Sequence, residues 1–87
     1  EAREIALEVN LMFVIGGHAS ANTSRLAAIC REIQPRTWHI ETAEEIEPEW
    51  FGSVNKVGVT AGASTPRWLI DEVLARITEL ASRAEGS

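Results

Sequence analysis

The chain predicts a small α/β domain: a parallel sheet of three to four strands with helices on both faces. Three observations predict it. Short apolar runs alternate with stretches of helical spacing. Two of those runs, Leu11 to Ile15 and Lys56 to Thr60, pass directly into loops of small residues. Each loop then opens into a helical pattern, which is how strand–helix units are joined in a parallel sheet.

The elements follow in order. Ala2, Ile5, Ala6 and Val9 share one face of a first helix. Leu11 to Ile15 is unbroken and apolar, the pattern of a strand covered on both faces, and Gly16-Gly17 ends it. Leu26, Ile29, Cys30 and Ile33 repeat the helical spacing until Pro35 stops it. Thr37 to Ile40 is a second strand. Thr42 and Glu45 fit a capping box that starts a short helical turn before Pro48. Lys56 to Thr60 is the third strand. Thr65 then reads as an N-cap with Pro66 at the first helical position, and Leu69, Val73, Ile77 and Leu80 mark the inner face of the last helix.

With 87 residues, the chain forms one domain over 1–87, with 84–87 expected to be a disordered tail. A domain of this size buries only about 60% of its unfolded surface, so it is marginal alone. The chain opens at Glu1 without methionine and enters a helix at once, as expected for a piece of a larger protein. Net charge is −5, which argues against nucleic-acid or anionic-membrane partners. No apolar run approaches the ~20 residues of a membrane span. One cysteine, Cys30, excludes an internal disulfide and a cysteine-built metal cluster. It lies on an apolar helical face and reads as a buried structural thiol.

The chemistry is concentrated in two loops, Gly16 to Thr23 and Thr60 to Pro66. At the carboxyl ends of parallel strands, both lie at helix N-termini, where backbone N–H groups and the helix dipole favour anions. Ser20, Asn22, Thr23, Ser24 and Ser64 add hydroxyls and an amide. The first loop is neither a Walker A loop, since Ala21 and Asn22 fall where its second glycine and lysine belong, nor a dinucleotide fingerprint, since His18 takes the second glycine's place. Serine, threonine and asparagine at helix starts also serve as plain caps, so capping and ligand binding both stay open for Ser20 and Asn22. His18 either donates to an anion or points to solvent. His39 reads as a packed or edge residue, Trp38, Trp50 and Trp68 as packing residues, and Glu41 to Glu49 as a solvated acidic face. A flavin phosphate held by the first loop alone is a further alternative, although it leaves the second loop unexplained.

Four runs carry a resemblance: N-L-M-F-V-I-G-G from Asn10 to Gly17; Ser20 to Thr23 with Arg25-Leu26; H-I-E-T-A-E from His39 to Glu44; and V-G-V-T-A-G-A-S-T-P from Val57 to Pro66. Together they resemble the LytB/IspH family of hydroxymethylbutenyl diphosphate reductases, from the first helix to about Leu80. The resemblance implies one lobe, the third, of a trefoil of three α/β domains. It implies a cytoplasmic parent, or a plastid-stromal one in a eukaryote. That parent is an oxidoreductase of the non-mevalonate isoprenoid pathway, converting an allylic diphosphate to isopentenyl and dimethylallyl diphosphates.

It further implies a 4Fe-4S cluster held by three cysteines outside this chain, and a ferredoxin- or flavodoxin-type electron donor. The fragment alone would be inactive, with no catalytic residue, metal or cofactor of its own. Ser20, Asn22 and Ser64 match the family's diphosphate-gripping positions; His18 and the backbone of Ala21, outside that match, are further candidate contacts that would compensate for a lost hydroxyl. Ala19 and Ala21 depart from the family's usual asparagine and second serine. Losing one hydrogen bond to a charged group, ~1.5–3 kcal/mol, lowers affinity by about one to two decades. The Ala21 departure motivates the alternative, a non-enzymatic α/β anion-binding or interaction module derived from the family.

Overall fold

A computed structural model describes residues 2–52, 54 and 56–86. Three parallel strands form one sheet: β1 (Leu11–Ile15) lies in the centre, with β2 (Thr37–Ile40) on one side and β3 (Val57–Ala61) on the other. The helices are α1 (Ala2–Glu8), α2 (Ala21–Ile33) and α3 (Arg67–Gly86), and two 3₁₀ turns, Ala43–Glu45 and Pro48–Phe51, bridge β2 to β3.

The alternation of β1 divides the core between two faces. Leu11, Phe13 and Ile15 pack with Ile46, Phe51, Val73, Ile77 and Leu80 under α3 and the 3₁₀ turns. Met12 and Val14 point the other way, against Ala6, Ala27 and Cys30 of α1 and α2. Every residue of β1 is fully buried, which explains its unbroken apolar run. Phe13 anchors an aromatic group, with ring centroids 6.0 Å from Phe51 and 6.1 Å from Trp50, and Trp50 stacks on Trp38 at 3.9 Å.

Several expectations shift. The third strand begins at Val57 rather than Lys56 because Asn10 holds Lys56 at the strand entrance. The Asn10 N–H donates to the Lys56 carbonyl at 2.9 Å, and the Lys56 N–H donates to Asn10 Oδ1 at 3.1 Å. The strand runs on to Ala61, and the Gly62 N–H extends the ladder to the Ile15 carbonyl at 3.0 Å. The first loop is shorter than expected, because Ala21, Asn22 and Thr23 already form the first turn of α2.

Helix α3 starts at Arg67, with the Pro66 carbonyl accepting from Leu69 and Ile70. The expected capping role of Thr65 gives way to a tertiary bond, its hydroxyl donating to the Ile15 carbonyl at 3.1 Å. Trp68 is a correction too. It is 62% exposed, so it packs little within this chain. α3 continues through Gly86, into the stretch expected as a disordered tail, and Ser87 lies outside the described residues. Among the described residues, no helix is long and apolar enough to cross a membrane.

Candidate functional site

Parallel pairing puts the carboxyl ends of all three strands on one edge of the sheet, and both small-residue loops emerge there. Because β1 is central, its loop is flanked on both sides. The Gly16 N–H donates to the Ile40 carbonyl of β2 at 3.0 Å, while Ile15 accepts from Gly62 and Thr65 beside β3. A tight turn follows in each loop, Ser20 N–H to the Gly17 carbonyl and Thr65 N–H to the Gly62 carbonyl, both at 3.0 Å.

The glycines permit a close approach between these loops. A Cβ on Gly16 would lie 2.5 Å from Thr23 Oγ1, and one on Gly62 would lie 2.6 Å from the same atom. Thr23, in the first turn of α2, is therefore wedged between the two loops and is 2% exposed. Sequence reasoning grouped Thr23 with the polar residues but gave it no role. The sequence signal was its pairing with small residues, yet the glycines lie 7 and 39 positions away.

Ser20 is the N-cap of α2. Its Oγ accepts from the Thr23 N–H at 3.3 Å and from Thr23 Oγ1 at 3.1 Å. The capping role is thus real, and it leaves the Ser20 proton free, so capping and ligand binding do not compete. Asn22 and Ser64 are exposed, and neither side chain has a hydrogen-bond partner among the described residues. The exposed Ala21 follows the cap directly, so its N–H is one of the donors that a helix start leaves without an intrahelical acceptor. Ser20, Ala21, Asn22 and Ser64 all lie on the two loop-to-helix turns that Thr23 joins.

His18 is tied to the acidic stretch. Its N–H donates to Glu41 Oε1 at 2.9 Å, and its Nε2 lies 2.6 Å from Glu45 Oε1. Its ring lies 4.7 Å from that of His39, whose Nε2 reaches the Gly16 carbonyl at 3.1 Å. A carbonyl only accepts, so His39 carries its proton on Nε2. The acidic stretch is therefore more than a solvated face: Glu41 and Glu45 tie the first loop to the end of β2.

Glu45 also accepts at Oε2 from the Glu41 and Thr42 N–H groups, at 2.8 and 2.9 Å, and the Thr42 bond is the one that the expected capping box requires. Burial alone would raise its carboxyl, but the His18 bond, these two N–H groups and the His18 charge hold it below the usual carboxylate range. A lowered carboxyl stabilises the fold above the ordinary glutamate value, and that contribution disappears as pH falls through the lowered one. Glu45→Ala is expected to cost about 1 kcal/mol near neutral pH, the scale of a lost cap. Urea unfolding of the full-length protein checks it, and the gap to wild type should close as pH falls below about 4.

Cys30 is fully buried, and burial pushes its thiol up, towards the neutral form. Among the described residues, no group of three His, Cys, Asp or Glu side chains is placed to hold a metal.

Comparison with known proteins adds an independent line. A family profile described as LytB protein matches residues 1–78. The 4-hydroxy-3-methylbut-2-enyl diphosphate reductase of Geobacter sulfurreducens is 60% identical over 86 residues, spanning 99% of this chain and 30% of that protein. The protein of the same name from Geobacter metallireducens is 65% identical over 82 residues, spanning 94% of this chain and 29% of that protein. A solved structure of (E)-4-hydroxy-3-methyl-but-2-enyl diphosphate reductase, described as the terminal enzyme of the non-mevalonate pathway, superposes with a TM-score of 0.88. It is 54% identical, and the match covers 90% of this chain and 28% of that one. The chain thus spans somewhat under a third of the length of the relatives it matches.

Proposed function

The chain belongs to the LytB family, and from that premise we propose that it is the diphosphate-gripping domain of a 4-hydroxy-3-methylbut-2-enyl diphosphate reductase. The observation that supports this most is the abutment of two loop-to-helix turns through Thr23, with Ser20, Asn22 and Ser64 on those turns. Two loop-to-helix turns that meet at Thr23 offer N–H groups and hydroxyls to phosphoryl oxygens without a permanent counter-charge. Such a grip holds an anion and still releases it.

The division of labour follows from what this chain lacks. Its one cysteine is buried and its thiol is pushed towards the neutral form. The residues present do not fit an iron–sulfur cluster, so the three-cysteine ligand set and the proton relay belong to other parts of the parent. This domain's own contribution is binding and orientation. Ser20 and Ser64 donate to the diphosphate tail, and the Ala21 amide adds a backbone donor. Fixing the tail fixes the allylic end, and binding energy spent far from the reacting carbon is a recognised source of rate. His18 serves the site indirectly, by anchoring the loop to Glu41 and Glu45. The reading carries with it a cytoplasmic parent, a ferredoxin- or flavodoxin-type electron donor and two further domains packed against this one.

Adding inorganic pyrophosphate to the full-length protein tests the proposal. The amide signals of residues 20–24 and 61–65 should shift together. Shifts confined to one loop, or to neither, would count against it; one loop alone would favour the flavin-phosphate alternative.

A further inference from the structure

Thr23 is buried beneath both loops, yet nothing above makes it a ligand. Its Oγ1 and Cγ2 fill the space that a Cβ on Gly16 would need, at 2.5 and 2.6 Å, and Oγ1 does the same for Gly62 at 2.6 Å. The side chain therefore sets how closely the two loops approach. Its polar atoms converge on one partner. Both the N–H and the hydroxyl of Thr23 meet Ser20 Oγ, at 3.3 and 3.1 Å.

A hydroxyl offers one donor and two acceptor sites. The Thr23 N–H can only donate. The Thr23 hydroxyl is buried, and a buried hydroxyl without an acceptor carries a desolvation cost. Ser20 Oγ is the acceptor it meets, so its proton goes there. Both acceptor sites of Ser20 are then filled from within the protein, and its own proton is left to point outward.

We propose that Thr23 is the positioning residue of the anion site. It turns Ser20 into an obligate donor and sets the spacing to the loop that carries Ser64. An obligate donor suits a ligand oxygen that only accepts, so the site selects fully ionised phosphoryl oxygens over groups that must themselves donate. The proposal rests on the diphosphate-gripping reading above.

The test uses the full-length protein and inorganic pyrophosphate, with affinity measured by calorimetry and KM and kcat measured alongside. Thr23→Val keeps the shape and removes the hydroxyl. It should weaken pyrophosphate binding about tenfold, the scale of one lost hydrogen bond. The loss should appear mainly in KM. Thr23→Ser, which restores the hydroxyl, should bind within about twofold of wild type. In a Ser20→Ala background, Thr23→Val should add less than about twofold, because its effect passes through Ser20. Thr23→Ala gives a second hydroxyl-free variant if the valine does not fold.

Wild-type affinity in Thr23→Val, or an equal loss in both backgrounds, would overturn the proposal while leaving the grip intact. If Ser20→Ala itself binds pyrophosphate as tightly as wild type, the grip is wrong and this inference fails with it.

Discussion

Replacing Ser20 and Ser64 together by alanine is expected, on the proposed diphosphate grip, to lower kcat/KM of the full-length protein by about two to four decades. In that grip each hydroxyl would contribute a hydrogen bond to a charged group, ~1.5–3 kcal/mol, or about one to two decades. The two lie on different loops and share no bond, so their effects should add closely. The single variants separate their roles. Ser20 is also the cap of α2, so Ser20→Ala should cost about 1 kcal/mol of stability besides its affinity. Ser64 caps nothing among the described residues, so Ser64→Ala should leave stability unchanged. Steady-state kinetics and chemical unfolding of the three variants check both halves. A double variant no worse than either single one would mean that the loops do not hold the ligand together.

Gly16→Ala is expected to damage fold and site at once. Its new Cβ would meet Thr23 Oγ1 at 2.5 Å, Cγ2 at 2.6 Å and Cβ at 3.1 Å. Thr23 has no easy escape. It is β-branched and helical, which restricts its χ1, and it is buried at the base of α2. Overpacking of this kind costs about 1–3 kcal/mol. The loop must move, taking Ser20 out of line with Ser64, so affinity for the diphosphate should fall by at least about tenfold. A second substitution separates the two effects. Thr23→Ala removes the atoms in conflict, so Gly16→Ala/Thr23→Ala should recover much of the stability. It should not recover the affinity, because Ser20 has then lost the hydroxyl that orients it. Recovery of both would mean that Thr23 is only a spacer.

The central strand was plain from the sequence because a fully buried parallel strand has no polar side to interrupt its pattern. Leu11 to Ile15 could be nothing else beside Gly16-Gly17. Capping was legible locally, since a helix start needs an acceptor, but the run offered both Ser20 and Asn22, and the structure places the cap at Ser20. What stayed hidden was long-range. Thr65 looked like a cap, but parallel pairing brings the Ile15 carbonyl, fifty positions away, within 3.1 Å of its hydroxyl. The tie from His18 to Glu45 spans twenty-seven positions. The capping box with Thr42 singles out Glu45 locally, but nothing in the run of Glu41 to Glu49 shows that Glu45 and Glu41 also hold the first loop. Trp68 failed in the opposite sense. It was expected to pack, but it falls on the outer face of α3.

The proposed ligand residues rest on a different signal. Ser20, Asn22 and Ser64 stand out through the V-G-V-T-A-G-A-S-T-P run and its companion loop, since periodicity alone does not distinguish a ligand from a cap. The structure adds the physical link between them, a buried threonine packed against a glycine of each loop.

Ser64→Ala in the full-length protein is the most direct single measurement of the proposed grip. Its hydroxyl is exposed and has no partner among the described residues, so a change in rate cannot be traced to a weakened fold. If the two loops grip the diphosphate together, KM rises and kcat falls, with kcat/KM down by about one to two decades and the melting temperature unmoved. Kinetics indistinguishable from wild type would show that the second loop does not touch the substrate.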